Sequence, residues 1–314
     1  MGTPFLETFP LADGTALPKL GFGTYKVGAV PASASSQTAA PLADPVQVIK
    51  DALDVGYRCF DCAQFYCNED VVGQAFKASG VPRAELYLVG KVWGDKIYDG
   101  PEAVKAQVQK SIDDLQCEYL DLFMVHWPVP GKHVEAYKAL EEEKAAGRIR
   151  SVAVANYTIE DLQELQGKVG MMPTVNQIEI NPSLFRTDTI KFCQENNVAL
   201  MAYRVFLNSG KGTVMQHPTV VDVATKLGKT PTQILGRWCI QNGFAHIPKS
   251  EKKDRMAENA AIFGWELPVE AMQALNSLTT EPDLEAFRIT YFKCIVRDTP
   301  LAASPPEPHQ ITVT

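Results

Sequence analysis

Four polar residues of the sequence could together carry out acid–base chemistry on a carbonyl group. Asp61, Tyr66, Lys91 and His126 each end or follow a short apolar run of the kind that forms buried strands. A phenol has an ordinary pKa of about 10 and is a weak acid at neutral pH. A neighbouring Lys91 cation would favour the phenolate and make Tyr66 a better acid, and Asp61 would pair with Lys91. His126 could donate a hydrogen bond to an oxygen that gains negative charge.

Such a site protonates an alkoxide and needs a separate hydride source. Taken singly, each residue has a more ordinary interpretation. Asp61 could cap a helix, Lys91 could be a surface charge, and Tyr66 and His126 could be half-buried packing residues with a satisfied polar tip.

The elements that would bring these residues together are eight short apolar runs that alternate with amphipathic segments. Their helical patterns include 44–56 and 101–116. This alternation predicts a (β/α)8 TIM barrel, in which the carboxyl ends of all strands meet on one face. The eight predicted strands are 19–25, 57–63, 86–92, 120–127, 151–156, 174–180, 199–205 and 245–250.

Three familiar motifs are present only in part. Residues 20–26 begin like a dinucleotide-binding fingerprint, but the third glycine position holds a lysine. Tyr87 and Lys91 have the spacing of a short-chain dehydrogenase pair, yet they lie in a predicted strand instead of a helix. Cys59 and Cys62 form a single Cys-x-x-Cys pair, whereas a closed zinc or iron–sulfur site usually takes four ligands. We therefore expect buried thiols and no metal.

Composition excludes several classes of protein. The 314 residues are 46% hydrophobic and 21% charged, and 30 basic against 37 acidic residues give a net charge of −7. No basic stretch suggests a nucleic-acid partner. No apolar run reaches the roughly 18 residues of a membrane span, and no signal peptide is recognisable. The seven cysteines are typical of free thiols, so we expect a cytoplasmic protein without disulfides or a membrane partner.

Three segments fall outside a minimal barrel. Residues 5–11 and 15–18 predict an N-terminal β-hairpin. Residues 27–45 form an Ala/Ser/Pro-rich insertion, interpreted as a flexible surface loop or, less simply, as a lid. We expect one barrel domain over 1–298 and a disordered tail over 299–314, and either 27–45 or 283–297 could partly cover the pocket.

The motifs jointly resemble those of the aldo-keto reductase family, over roughly residues 5–290 and in matching order. The matching segments are 21–25 (GFGTY), 56–69 (GYRCFDCAQFYCNE), 121–128 (DLFMVHWP), 237–238 (RW) and 247–250 (IPKS) with Arg255, Glu258 and Asn259. The resemblance implies that Asp61, Tyr66, Lys91 and His126 form the catalytic tetrad, with Tyr66 as the proton donor.

The resemblance further implies that NADPH or NADP+ binds in an extended conformation without a Rossmann domain. The positions that match cofactor contacts are Gly23, Thr24, Tyr25, Asp61, Asn156, Gln177, Tyr203, Arg204, Lys249, Ser250, Arg255, Glu258 and Asn259. Two cations beside a hydroxyl, at Lys249, Ser250 and Arg255, suit the 2′-phosphate that NADH lacks. The positions expected to bind substrate are Tyr25, Trp93, His126 and Trp127.

Two positions depart from the family pattern. Ala155 stands where a serine usually contacts the carboxamide, which removes a hydrogen bond worth about 1 kcal/mol. Arg204-Val205-Phe206 replaces the usual Ser-Pro-Leu, and we expect Arg204 to contact the pyrophosphate through its charge.

The sequence thus predicts a monomeric NADP-dependent oxidoreductase that acts on CH–OH donors and reduces a small-molecule aldehyde or ketone. Two alternatives stay open. One is an NADPH-binding regulatory or structural barrel without significant turnover, and the other is an alcohol or polyol dehydrogenase that works in the reverse direction.

Overall fold

The computed structural model describes residues 7–28, 43–208 and 212–304 of the chain. The strands are β1 (Thr8–Pro10), β2 (Ala16–Pro18), β3 (Phe22–Gly23), β4 (Cys59–Asp61), β5 (Tyr87–Val92), β6 (Leu120–Val125), β7 (Ile149–Ala155), β8 (Val175–Glu179), β9 (Ala199–Tyr203), β10 (Leu207–Asn208), β11 (Gly212–Thr213) and β12 (Phe244–His246).

Helices alternate with these strands through most of the chain. The α-helices are α1 (Pro45–Val55), α2 (Glu69–Ser79), α3 (Gly94–Asp99), α4 (Pro101–Asp114), α5 (His133–Ala145), α6 (Ile159–Val169), α7 (Thr187–Glu195), α8 (Pro218–Leu227), α9 (Pro231–Gln241), α10 (Lys253–Ala260), α11 (Val269–Asn276) and α12 (Glu281–Ile295). Short 3-10 helices cover Gln64–Tyr66, Arg83–Glu85, Val214–Gln216 and Pro300–Ala303.

Eight parallel strands form a closed barrel. They follow one another in the order β3, β4, β5, β6, β7, β8, β9 and β12. The first and last strands are joined by a parallel bridge between Leu20 and His246, with hydrogen bonds from Gly21 N to His246 O (2.8 Å) and from His246 N to Lys19 O (2.8 Å). Each of the eight predicted apolar runs overlaps one of these strands, although β7 and β12 begin two and one residues before their runs, so the predicted (β/α)8 barrel is confirmed.

The barrel interior is apolar, and the N-terminal hairpin closes one end of it. Leu11 and Leu17 are buried in the same cluster as the inward-facing residues Leu122, Met124 and Met201. The hairpin pairs β1 with β2 in antiparallel register, as the sequence predicted, although both strands are shorter than expected. The opposite end, where the strands terminate, therefore remains for a functional site.

Local sequence signals set the limits of the helices. The Asp44 side chain accepts a hydrogen bond from Val46 N, Pro45 occupies the first turn, and Gly56 ends α1 with a φ of 118°. The predicted segment 44–56 is therefore confirmed with its capping residues. No helix in the three described ranges has the length and apolar character needed to cross a membrane.

The two predicted flexible segments fall largely outside the described residues. Residues 29–42 of the insertion and 305–314 of the tail are not among them. Val27, at one end of the insertion, is fully buried and accepts a hydrogen bond from Asn68 Nδ2 (2.9 Å). The predicted tail starts too early, because Thr299 is buried and Pro300–Ala303 form a 3-10 helix that packs through Leu301.

Two helical glycines predict opposite effects of an added methyl group. A Cβ atom at Gly73 in α2 would lie 2.2 Å from the backbone oxygen of Asp114, whereas one at Gly167 in α6 would meet open space. We expect Gly73→Ala to lower the free energy of unfolding by about 3 kcal/mol through overpacking. Gly167→Ala should raise it by about 0.5–1 kcal/mol through helix propensity. Urea denaturation of both variants checks this, and equal shifts would contradict the close approach of α2 to Asp114.

The burial of His246 leads us to expect a loss of stability in acid. Its ring packs against Phe206 (centroids 5.3 Å apart), neither ring nitrogen has a partner among the described residues, and burial lowers its pKa to about 3. The unfolded chain, with a histidine pKa of about 6.5, therefore binds the proton first as pH falls. From pH 7 to pH 5 this residue should cost about 2 kcal/mol of unfolding free energy. Urea denaturation at both pH values should show a smaller loss in His246→Leu, and an equal loss would refute the assignment.

Candidate active site

The four predicted catalytic residues converge at the carboxyl ends of neighbouring strands. Asp61 is the last residue of β4, Lys91 lies near the end of β5, and His126 directly follows β6. After β4 the chain turns through the 3-10 helix Gln64–Tyr66, which places the Tyr66 phenol over the end of β5. The parallel register therefore unites residues that are up to 65 positions apart in sequence.

A fully buried ion pair forms the centre of the site. Lys91 Nζ lies 2.6 Å from Asp61 Oδ1, and Lys91 has no exposed surface. The same ammonium donates to Cys62 O (2.9 Å) and to the Tyr66 hydroxyl (3.2 Å). An ammonium has three protons, so each one has an acceptor. Asp61 Oδ1 also accepts from Gln177 Nε2 (2.7 Å), which fixes the carboxylate from a third strand.

Tyr66 is held protonated. Burial raises the pKa of its phenol well above its ordinary value, and the negative charge of Asp61 raises it further. The sequence predicted that Lys91 favours the phenolate, and the net direction of the pKa is nevertheless upward, because burial and Asp61 both disfavour that anion. The sequence showed the cation but neither the degree of burial nor the closeness of the carboxylate. The phenol therefore keeps its proton at neutral pH and stands beside the ammonium that would stabilise its anion.

His126 is neutral. Burial lowers the pKa of its imidazole well below the ordinary range, and the charge on Lys91 acts in the same direction. Its ring lies 6.0 Å from that of Tyr66 and nearly perpendicular to it. Nδ1 has no hydrogen-bond partner within the described ranges. A neutral imidazole carries one N–H donor, so His126 can donate one hydrogen bond beside the phenol.

Aromatic rings line the approach to Tyr66. The Tyr25 ring lies 5.1 Å from that of Tyr66, and the Trp93 ring lies 4.9 Å from that of His126. Phe65, which is not among the site residues predicted from the sequence, lies between these rings, 4.1 Å from that of Trp93 and 6.4 Å from that of Tyr25. Its position directly before Tyr66 was the available signal. The approach therefore suits an apolar substrate body.

Helix α12 and the turn after it cover the remaining side. Tyr291 packs against Trp127 with centroids 6.1 Å apart, and its hydroxyl donates to Asp161 Oδ2 (2.6 Å). Trp93 Nε1 donates to Asp298 Oδ2 (2.8 Å). The predicted cover by residues 283–297 is thus present. It leaves Tyr66 and His126 each only 8% exposed.

Amide and phenol groups adjoin the ion pair on its other side. Asn156, at the end of β7, donates to His126 O (3.0 Å) and accepts from the Tyr203 hydroxyl (2.7 Å). Asn156 has a left-handed φ of 64° and Arg204 one of 56°, conformations that a non-glycine side chain rarely adopts and that are frequent at functional sites. With Gln177, these groups form a row of donors and acceptors that fits a planar carboxamide.

The end of β3 approaches the segment that follows β12. A Cβ atom at Gly23 would lie 3.2 Å from Ile247 O, and Gly23 N donates to Pro248 O (3.0 Å). Thr24 is buried, and its hydroxyl donates to Asp61 O (2.9 Å). Thr24 therefore has a structural role through the Asp61 backbone, in addition to any contact with a cofactor.

Charged residues follow β9 and β12 in the chain. Lys249 pairs with Glu251 (2.5 Å), and Arg204 pairs with the buried Glu179 (3.3 Å). Neither carboxylate is among the site residues predicted from the sequence. Ser250 and Arg255 lie close to Lys249 in the sequence. Asn259 is buried in α10, and Glu258 Oε1 accepts from Thr232 (2.5 Å).

The donor set fits an extended nicotinamide dinucleotide. The amides and the Tyr203 ring at one end match the chemistry of a carboxamide and an aromatic ring. Lys249, Ser250 and Arg255 at the other end match a phosphate on the ribose. Within the described parts of the chain, no cluster of three or more His, Cys, Asp or Glu side chains could hold a metal, and the cysteines are free.

Comparison with known proteins identifies the family. The model of the Aldo/keto reductase family matches residues 19–280. An aldo-keto reductase of Mycobacterium sp. (strain KMS) is 35% identical over 296 residues, which cover 92% of this chain and 100% of the relative. A glyoxal reductase of Bacillus subtilis (strain 168) is 34% identical over 281 residues, 90% of this chain and 96% of the relative.

A solved structure is similar as well. The Bombyx mori aldo-keto reductase crystallised in complex with NADP superposes with a TM-score of 0.77 at 29% identity. The match covers 87% of this chain and 92% of that chain.

The buried ion pair predicts strong coupling between its two members. Asp61→Asn or Lys91→Met alone leaves an uncompensated buried charge and should lower the free energy of unfolding by about 3–5 kcal/mol. The double variant buries no charge, so its loss should fall short of the sum of the single losses by at least about 2 kcal/mol. Urea denaturation of all four proteins checks this. Losses that add within about 0.5 kcal/mol would contradict the coupling.

Proposed function

The chain belongs to the aldo-keto reductase family, and from that membership we propose that it reduces an aldehyde or ketone to the alcohol with NADPH as the hydride donor. The observation that carries the proposal is the buried Lys91 ammonium, which joins Asp61 to the Tyr66 hydroxyl beside a neutral His126. This arrangement holds a proton at one defined atom, the phenol oxygen, at the end of the barrel where the strands terminate.

In the proposed reaction, Tyr66 donates its phenolic proton to the carbonyl oxygen as that oxygen gains negative charge. Because the pKa of Tyr66 is raised, the phenolate that remains needs stabilisation. Lys91 lies 3.2 Å from the hydroxyl and supplies a positive charge there. Asp61 keeps this ammonium oriented, and Gln177 keeps Asp61 oriented.

His126 would bind the carbonyl oxygen from the other side. A neutral imidazole donates a hydrogen bond without losing its proton, so it polarises the carbonyl and leaves proton transfer to Tyr66. The surrounding Trp93 and Phe65 rings exclude water and strengthen that hydrogen bond.

NADPH, when bound, supplies the hydride from nicotinamide C4. Asn156 and Gln177 would hold the carboxamide, and Tyr203 would stack on the ring. Lys249, Ser250 and Arg255 would hold the 2′-phosphate, with Glu258 and Asn259 at the adenine. The NADP complex of the Bombyx mori relative supports this choice of cofactor. The expected contact of Arg204 with the pyrophosphate stays a prediction. Its guanidinium pairs with Glu179, so Arg204 would have to bind the pyrophosphate from within this pair or leave it.

The substrate that this pocket suits is a small aldehyde with a short apolar body. Phe65, Trp93 and Trp127 narrow the approach, and α12 packs against Trp127. The name of the Bacillus subtilis relative, glyoxal reductase, supports a small carbonyl compound. Entry of such a compound would require a shift of α12 or of the turn at Asp298.

The decisive variant is Tyr66→Phe, which removes the proton and keeps the ring. We expect kcat for the reduction of a small aldehyde to fall about a thousandfold, within the usual range for loss of a general acid. NADPH affinity, measured by fluorescence quenching, should stay within about threefold because the phenol contributes little binding energy.

Tyr98→Phe in α3 is the matched control, since the Tyr98 ring packs against Lys132 (5.3 Å) and its phenol is not among the groups that contact the ion pair. It should leave kcat unchanged. Retained turnover in Tyr66→Phe would overturn the proton-donor assignment, and absence of turnover in the parent protein with any aldehyde tested would overturn the proposed activity.

A further inference from the structure

A carboxylate occupies the place where the sequence led us to expect only cations. Beyond β12 the chain runs to α10, and Pro248 O accepts from Gly23 N, which anchors this segment to the end of β3. Lys249 Nζ lies 2.5 Å from Glu251 Oε1, and both side chains are about one-third exposed, at 29% and 32%. A ligand phosphate that binds Lys249 must therefore displace Glu251 or accommodate it.

The other groups at this end are also partly engaged. The Ser250 hydroxyl accepts from Lys252 N (3.1 Å) and donates to Lys252 O (3.4 Å), within its own turn. Lys253 pairs with Asp54 (2.7 Å) and Asp51 (3.6 Å) of α1. Across residues 7–28, 43–208 and 212–304, Arg255 takes part in no ion pair. The local positive charge is thus smaller than the count of basic residues suggests.

NADPH and NADH would interact differently with the Glu251 carboxylate. A 2′-phosphate is a dianion, so Glu251 repels it and competes with it for Lys249. A ribose 2′-hydroxyl is a donor as well as an acceptor, and a carboxylate is the group that commonly accepts from it in NADH sites. Glu251 therefore lowers the advantage of NADPH and raises that of NADH.

We propose that Glu251 is a specificity-determining residue that competes with the cofactor 2′-phosphate for Lys249, so that this chain binds NADH with an affinity close to that for NADPH. This inference rests on the proposed function, because it places a nicotinamide dinucleotide on this face. It concerns the discrimination between two cofactors and not the chemistry at Tyr66.

The test is the pair of dissociation constants for NADPH and NADH, measured by fluorescence quenching without substrate in the parent protein and in Glu251→Gln. The substitution removes the charge and frees Lys249, so Kd for NADPH should fall about tenfold. Kd for NADH should stay within about threefold, because an amide oxygen still accepts a hydrogen bond. The ratio of the two constants, near one in the parent protein, should therefore change by about tenfold.

Glu7→Gln is the matched control. It breaks a similar lysine–glutamate pair, Lys19 with Glu7 at 2.9 Å, at the opposite end of the barrel and removes the same net charge. It should leave both constants unchanged, and thermal melting of both variants checks that the fold is intact. A Kd ratio that Glu251→Gln leaves unaltered, or a strong NADPH preference in the parent protein, would overturn the role of Glu251. Failure of the parent protein to bind either cofactor would instead overturn the proposed function.

Discussion

The buried ion pair between Lys91 and Asp61 is the interaction on which the rest of the site depends. Removing two charges from water costs several kcal/mol for each ion unless other groups replace the lost solvation. Three groups that lie close together in space replace that solvation. Cys62 O and the Tyr66 hydroxyl accept from the ammonium, and the Gln177 amide donates to the carboxylate. The pair is thus tolerated because side chains of β4, β5 and β8 come within hydrogen-bond distance of one another at this end of the barrel.

Burial around this pair also sets the protonation states that the proposed chemistry needs. It raises the pKa of Tyr66 and lowers that of His126, so that at neutral pH both side chains are uncharged and each carries a proton to donate. Lys91 contributes to the second shift by its positive charge. One desolvated environment therefore yields an acid and a neutral hydrogen-bond donor side by side, without any unusual residue.

The walls of the site come from connections that have no common sequence pattern. Phe65 belongs to the turn after β4, Trp93 follows β5, and Tyr291 comes from α12, far along the chain. Connections at this end of the barrel hold non-glycine residues at positive φ, among them Asn156 after β7, Arg204 after β9 and Asp298 after α12. Such conformations persist only where the surrounding contacts impose them, which ties the shape of the pocket to the packing of α12 against the barrel.

The sequence by itself determined the barrel and which residues lie on its proposed catalytic face. Apolar runs of strand length that alternate with capped helices leave few other folds, and parallel strands must bring Asp61, Lys91 and His126 to one end. Only the tertiary structure decided the upward direction of the Tyr66 pKa and the partner of Lys249. Both depend on burial and on distances between side-chain atoms, quantities that residue order does not contain even when, as with Glu251, the partner is two positions away.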